Sequence, residues 1–167
     1  MLALIAAALA AGTPLVNSAA ETVLGSHAIP AHWWQPGKVL KFEALVRTVD
    51  NNSTDTLVIR VRVGAGTLTG TAIVQTGAVD QVDGDVCVVT GTIVCRSFTD
   101  ATDAELVATA ASNNPDAPGQ GAEHHGGVLT SVDLTQAMLL EVTGQWSAAH
   151  VDNECQLEAL NVYEGIA

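Results

Sequence analysis

Basic side chains are scarce in this chain. Six Lys and Arg face eighteen Asp and Glu, for a formal net charge of −12. So negative a surface repels phosphate backbones and anionic bilayers, which argues against nucleic acid or membrane as partners held through a basic face. It equally suits solubility in salty water. Aromatic residues are few as well, three Trp, two Phe and one Tyr, although hydrophobic residues make up 48% of the chain. The core must therefore be built from Ala, Val, Leu and Ile. With 15 Gly and a regular alternation of apolar and polar residues, this composition points to an all-β protein. The length of 167 residues suits one domain with a sizeable core, and no fixed-period repeat, linker or low-complexity tract divides it.

Cysteine is too rare, and odd in number, for a disulfide framework: Cys87, Cys95 and Cys155. If residues 85–98 form one strand, Cys87 and Cys95 lie about 26 Å apart at about 3.3 Å per residue, beyond bonding reach. They would then be thiols on one buried face with Val89 and Ile93. A hairpin turning at Thr90 and Gly91 would instead bring them together. Nothing in the pattern calls for an oxidising compartment.

The common catalytic fingerprints are missing too. There is no Gly-rich phosphate loop, no H-E-x-x-H, no C-x-x-C and no G-x-S-x-G elbow. Residues 124–127, HHGG, are similar to an esterase oxyanion loop, but without that elbow they lack a nucleophile. Glu123, His124 and His125 are the densest group of metal-ligand types. Adjacent histidines in an extended segment point to opposite sides, however, so they need a third ligand from elsewhere. Residues 80–85, DQVDGD, space their carboxylates somewhat like a calcium loop, yet the closing Glu is missing and the stretch reads as an acidic turn. The sequons at Asn51 and Asn52 matter only in a glycosylating secretory pathway. No catalytic residue, metal site or cofactor follows from these residues, and an enzyme is not expected.

What is present is strand after strand. Residues 39–64 hold two alternating runs around the polar tract 50–55, DNNSTD. In the first, Leu40, Phe42, Ala44 and Val46 share one face, with Lys41, Glu43 and Arg47 on the other. In the second, Leu57, Ile59, Val61 and Val63 alternate with Arg60 and Arg62. A period of two with charge on one face marks half-buried strands, and the tract between them reads as the turn of a β-hairpin. That hairpin would place Lys41, Arg47, Arg60 and Arg62 on one outer surface.

Further strands are expected at 21–29, 71–76, 86–98 (bulged at Gly91), 128–134, 137–148 and 154–163. Residues 104–112 fit a strand or a helical turn, and 113–127 a long surface loop. About eight antiparallel strands with short polar turns suggest a single-domain, jelly-roll-like β-sandwich over residues 21–167. Residues 1–20 stand apart. MLALIAAALAA resembles a signal peptide in its apolar run, but no Lys or Arg precedes it, so it is expected to be retained, and it is too short to span a bilayer. It reads as an apolar arm covered by its own sandwich or by a neighbouring subunit, with Leu2, Leu4, Ile5, Leu9, Leu15 and Val16 as contact residues. Trp33 and Trp34, in the turn 30–38, are either a sugar-stacking platform or one core ring and one rim ring. With His124 and His125 they form the candidate exposed binding surface.

The order of these segments resembles small jelly-roll structural proteins of tailed bacteriophages. ETVLGSHAIPAHWWQPGKVLKFEALV is similar to their opening strand, its "I-P-A" turn and the "pGkvlr" entry into the next strand. NNSTDTLVIRVRVG resembles their "N-x-S-x-D-T-L" hairpin, and VDNECQLEALNVYEG their closing strand with its "L-N-V" signature. Together these cover most of residues 21–165; Met1–Ala11 and EHHGG depart from the pattern. The resemblance implies a virion protein without enzymatic activity, most simply a trimeric capsid decoration (cement) protein. Its partners would be the major capsid protein and copies of itself on the capsid surface. The alternative is a tail or fibre component, or a glycan- or receptor-binding module using a host glycan. A secreted bacterial sandwich and a hydrolase built around His124 or His125 rank below these.

Overall fold

The computed structural model describes residues 3–8, 12–52, 54–98, 104–113, 123–130 and 132–166. Among these, every regular element is a strand. In chain order they are β1 (Ala3–Ala8), β2 (Leu15–Val16), β3 (Thr22–Ile29), β4 (Lys38–Asp50), β5 (Thr56–Gly64) and β6 (Thr71–Gln75). Then follow β7 (Val79–Asp80), β8 (Val86–Phe98), β9 (Ala104–Asn113), β10 (Glu123–Thr130), β11 (Met138–Trp146) and β12 (Glu154–Ile166). The expected all-β sandwich is present, with twelve described strands rather than about eight. They form two antiparallel sheets. One has seven strands in the order β1-β12-β4-β8-β9-β10, with β2 also on β12. The other has five in the order β3-β11-β5-β6, with β7 also on β5.

Alternation decides which side of each strand is buried. Leu40, Phe42, Ala44 and Val46 of β4 face inward, as do Cys87, Val89, Ile93 and Cys95 of β8. Leu57, Ile59, Val61 and Val63 of β5 meet them from the opposite sheet in one continuous core. Each Val, Leu, Ile or Phe among them contributes about 1.5–3 kcal/mol by leaving water. β8 runs unbroken through Gly91, which pairs with Phe42 on one side and Ala110 on the other. The expected bulge is therefore absent at Gly91; the register shifts between Cys95 and Ser97 instead. With no turn at Gly91, Cys87 and Cys95 stay apart, and all three cysteines are buried without a disulfide. Residues 104–113 are strand, and the strand expected at 128–134 ends at Thr130.

The hairpin over residues 39–64 does not form. β4 pairs with β12 and β8 in the larger sheet, whereas β5 pairs with β11, β6 and β7 in the smaller one. The tract 50–55 is a crossover between sheets, and Lys41 and Arg47 consequently lie on the opposite outer face from Arg60 and Arg62. β11 and β12 cross beside them in the opposite direction: Asp50 pairs with Glu154 and Leu57 with Trp146, so the two crossings abut. Polar side chains close this corner. Asn153 donates from Nδ2 to Asp55 Oδ2 (2.9 Å) and to the Ala148 carbonyl (3.0 Å), and its Oδ1 accepts the Asn52 amide (3.0 Å).

Residues 3–8 and 12–16 are covered by the sandwich itself, one of the two expectations for the apolar arm. β1 pairs with residues 160–164 of β12, Gly12 donates its amide to Leu157 O, and β2 pairs with Glu154 and Cys155. β1, Gly12 and β2 thus lie along the edge of β12 that β4 leaves free. Leu15 is 2% exposed and belongs to the core.

Candidate functional site

The expected site residues scatter over the molecule. Leu4 (54% exposed), Ile5 (39%) and Val16 (46%) lie outward along the β12 edge, while Leu15 is lost to the core. Leu2 and Leu9 lie outside the described residues. Trp34 is fully buried and cannot meet a ligand. Trp33 packs edge-on against it, centroids 4.7 Å apart, and lies under Lys38 with Nζ 4.8 Å from its ring. Glu164 ties the group together by accepting Trp33 Nε1 at 3.0 Å and pairing with Lys38 at 3.7 Å. One ring in the core and one at the rim is the arrangement; two open faces for a sugar are not. His124 and His125 fall within β10, paired with Ala111 and Ala110, rather than in a loop.

The carboxylate-rich stretches are structurally engaged. Asp83 accepts the Asn51 amide (2.8 Å) and Asp85 the Val82 amide (3.1 Å), with Gly84 at positive φ between them. The side-chain nitrogens of both sequon asparagines are engaged as well: Asn51 donates to Asp80 and to the Gln81 carbonyl, Asn52 to Asp55. Among the described residues, no three His, Cys, Asp or Glu side chains stand close enough to share a metal ion.

On the outer face of the five-stranded sheet, Arg62 grips Glu21 through two bonds of 2.7 and 2.8 Å, and Thr143 donates to the same carboxylate at 2.6 Å. The Arg62 guanidinium, with help from Thr143 and Arg60, holds the Glu21 carboxyl below its usual range. Arg60 also bonds Gln75 and Gln145. This face is closed by its own charges, and Thr143 beneath them is fully buried.

Among the described residues, nothing covers the middle of the outer face of the seven-stranded sheet. A groove of about 590 Å³ crosses it, lined by Lys41, Glu43, Thr90, Thr92, Thr109 and Tyr163 among others. Gly91, Ala110 and Ala111 complete its lining in the middle strands, and of these only Ala111 shares the outward row with Thr90. Register arranges the walls in two rows. Tyr163, Lys41, Thr92 and Thr109 are successive cross-strand partners; Asn161, Glu43, Thr90 and Ala111 form the next row. Only Asn161 and Glu43 bond one another through side chains in these rows, at 3.2 Å. The alternation of Lys41 and Glu43 on a wet face was legible in sequence. That Thr90, Thr92 and Thr109 lie beside them was not, because it requires knowing that β8 and β9 follow β4.

No protein-family model and no curated protein matches the chain. Among solved structures the chain is similar to the CBM2 module of the evolved Dit of Lactobacillus casei BL23 phage J-1. The identity is 11%, the TM-score 0.32, and the alignment covers 84% of this chain and 68% of that one.

Proposed function

We propose that this protein is a non-enzymatic structural component of a tailed-phage particle, a decoration protein bound to the outside of the head. The observation that carries the reading is the β1 edge. In a chain of net charge −12, Ala3–Ala8 is uncharged and lies at the margin of the larger sheet with Leu4 and Ile5 exposed. Natural proteins guard such edges with charge, proline or a covering element. An unguarded one offers apolar side chains and an open backbone ladder to a partner strand. The resemblance of the segment order to phage jelly-roll proteins supports the same role.

The mechanism needs no chemistry. A protein that binds the finished shell and not its separated parts stabilises the shell by mass action. The partner is the major capsid protein, and closed rotational assembly into a trimer multiplies each modest edge contact into avidity. Leu4 is 54% and Ile5 39% exposed, so covering them supplies about 1 kcal/mol each per subunit before ordering costs.

Deleting residues 1–20 is a poor test, because it strips Leu15 from the core and uncovers β12. Replacing Leu4 and Ile5 together by Lys is cleaner, since both are exposed. The double variant should keep the wild-type unfolding temperature and lose co-sedimentation with heads carrying the cognate capsid protein. Undiminished pelleting by the variant refutes the edge; wild-type protein that pellets with tails and never with heads refutes decoration.

A further inference from the structure

We propose that the groove on the outer face of the seven-stranded sheet binds a neutral saccharide, seated across β12, β4, β8 and β9. Three inter-strand steps of about 4.8 Å make the belt roughly 14 Å long, room for a short oligosaccharide laid across the strands.

Charge bookkeeping in the protein singles the groove out. Lys38, Arg47, Arg60, Arg62 and Arg96 each pair with a carboxylate. Lys41 is the one basic residue without such a partner among the described residues, in a chain with eighteen acids. Its neighbour on the same face is Glu43. An ammonium only donates hydrogen bonds and a carboxylate only accepts them. An anionic ligand would meet Glu43 and the field of a −12 protein, and a cation would meet Lys41. A polyol, whose every hydroxyl both donates and accepts, satisfies both.

The remaining wall fits the same ligand. The hydroxyls of Thr90, Thr92, Thr109 and Tyr163 make no side-chain hydrogen bond among the described residues and can serve as donor or acceptor in turn. Threonine methyls and the Tyr163 ring offer apolar surface to the C–H face of a sugar. An extended peptide is a poorer occupant, because backbone groups in the middle of a sheet are already used by its own ladder and no strand can be added there.

Titration of isotope-labelled full-length protein with neutral tetrasaccharides of hexose, of N-acetylhexosamine and of deoxyhexose tests this by NMR. At least one should shift the amides of Thr90, Thr92, Thr109 and Tyr163, saturate, and do so equally in high salt. Lys41→Met and Thr92→Val should each weaken that binding about tenfold, by loss of one charged or neutral bond. Thr71→Val, on the other sheet, should leave it unchanged, and all three variants should keep the wild-type unfolding temperature. The proposal is overturned if no sugar moves these amides, or if shifts centre on Trp33 and Lys38. It is equally overturned if only sialylated or sulfated sugars bind, with salt dependence, or if mass rises with concentration and the groove is covered by a second copy. Sugar binding by a protein that ignores phage heads would keep this inference and discard the decoration role, so the two fail separately.

Discussion

Asn153 reaches back 98 positions to donate to the Asp55 carboxylate at 2.9 Å, joining the β4–β5 and β11–β12 passages between the sheets. Both side chains are buried. Asp55 also accepts from Asn52 and Ser147, and Ser147 in turn caps the Thr56 amide. The corner is thus held by a polar network in which each crossing satisfies the other.

Asn153→Ala should therefore cost about 2–4 kcal/mol, since it removes three hydrogen bonds and leaves buried partners unmet. Equilibrium urea unfolding measures it. A loss under half a kcal/mol would show that solvent, not Asn153, satisfies the corner.

The pH dependence has a definite sign on each side. Burial lowers the pKa of His27 from 6.5, so the folded state binds its proton less readily than the unfolded chain does. Its stabilising contribution is complete above pH 6.5 and declines as pH falls through the folded value. Below that, Glu21, held down by Arg62, and Asp55, held down by Asn153 and then Asn52, behave likewise from their ordinary values of 4.5 and 3.8. On the alkaline side, burial raises the Cys155 thiol from 9.0 to about 12, so stability falls as pH rises above 9.0. Melting temperature should be flat between pH 6.5 and 9.0 and fall on both sides. In Cys155→Ala the alkaline fall should shrink; an unchanged alkaline limb would remove the thiol as its cause.

Gly91 is required by its neighbour. A Cβ there would stand 2.3 Å from Cζ of the buried Phe42 and 3.1 Å from Cβ of Ala110. Gly91→Ala should destabilise by about 1–3 kcal/mol, the usual cost of overpacking, despite the gain in strand propensity. In a Phe42→Leu background the same substitution should cost clearly less. Equal costs in the two backgrounds would place the strain elsewhere.

How far the sequence could be read depends on which physical signal each feature leaves. Alternation placed β4, β5, β8, β11 and β12 and told inward from outward side chains, because a period of two is intrinsic to an extended chain. The buried fate of Cys87 and Cys95 followed from the same rule. Whether residues 1–20 are covered by their own sandwich or by a neighbour stayed open, because a short apolar stretch reads alike in both cases; β1 and β2 lie along β12 of the same chain. The groove was invisible for a related reason: Thr90, Thr92 and Thr109 are unremarkable wet-face residues until β8 and β9 are set beside β4.

Composition and alternation are enough to establish a β-sandwich, the buried faces of its main strands and a strongly acidic surface. Which strands are neighbours became visible only in the folded molecule. Alternation specifies a face and not a partner, so residues 39–64 fit a hairpin and a crossover equally well. The choice fell to the crossover because β12 and β11 offer long ladders to β4 and β5, and because Asn153, a hundred residues away, completes the hydrogen bonds of the tract between them.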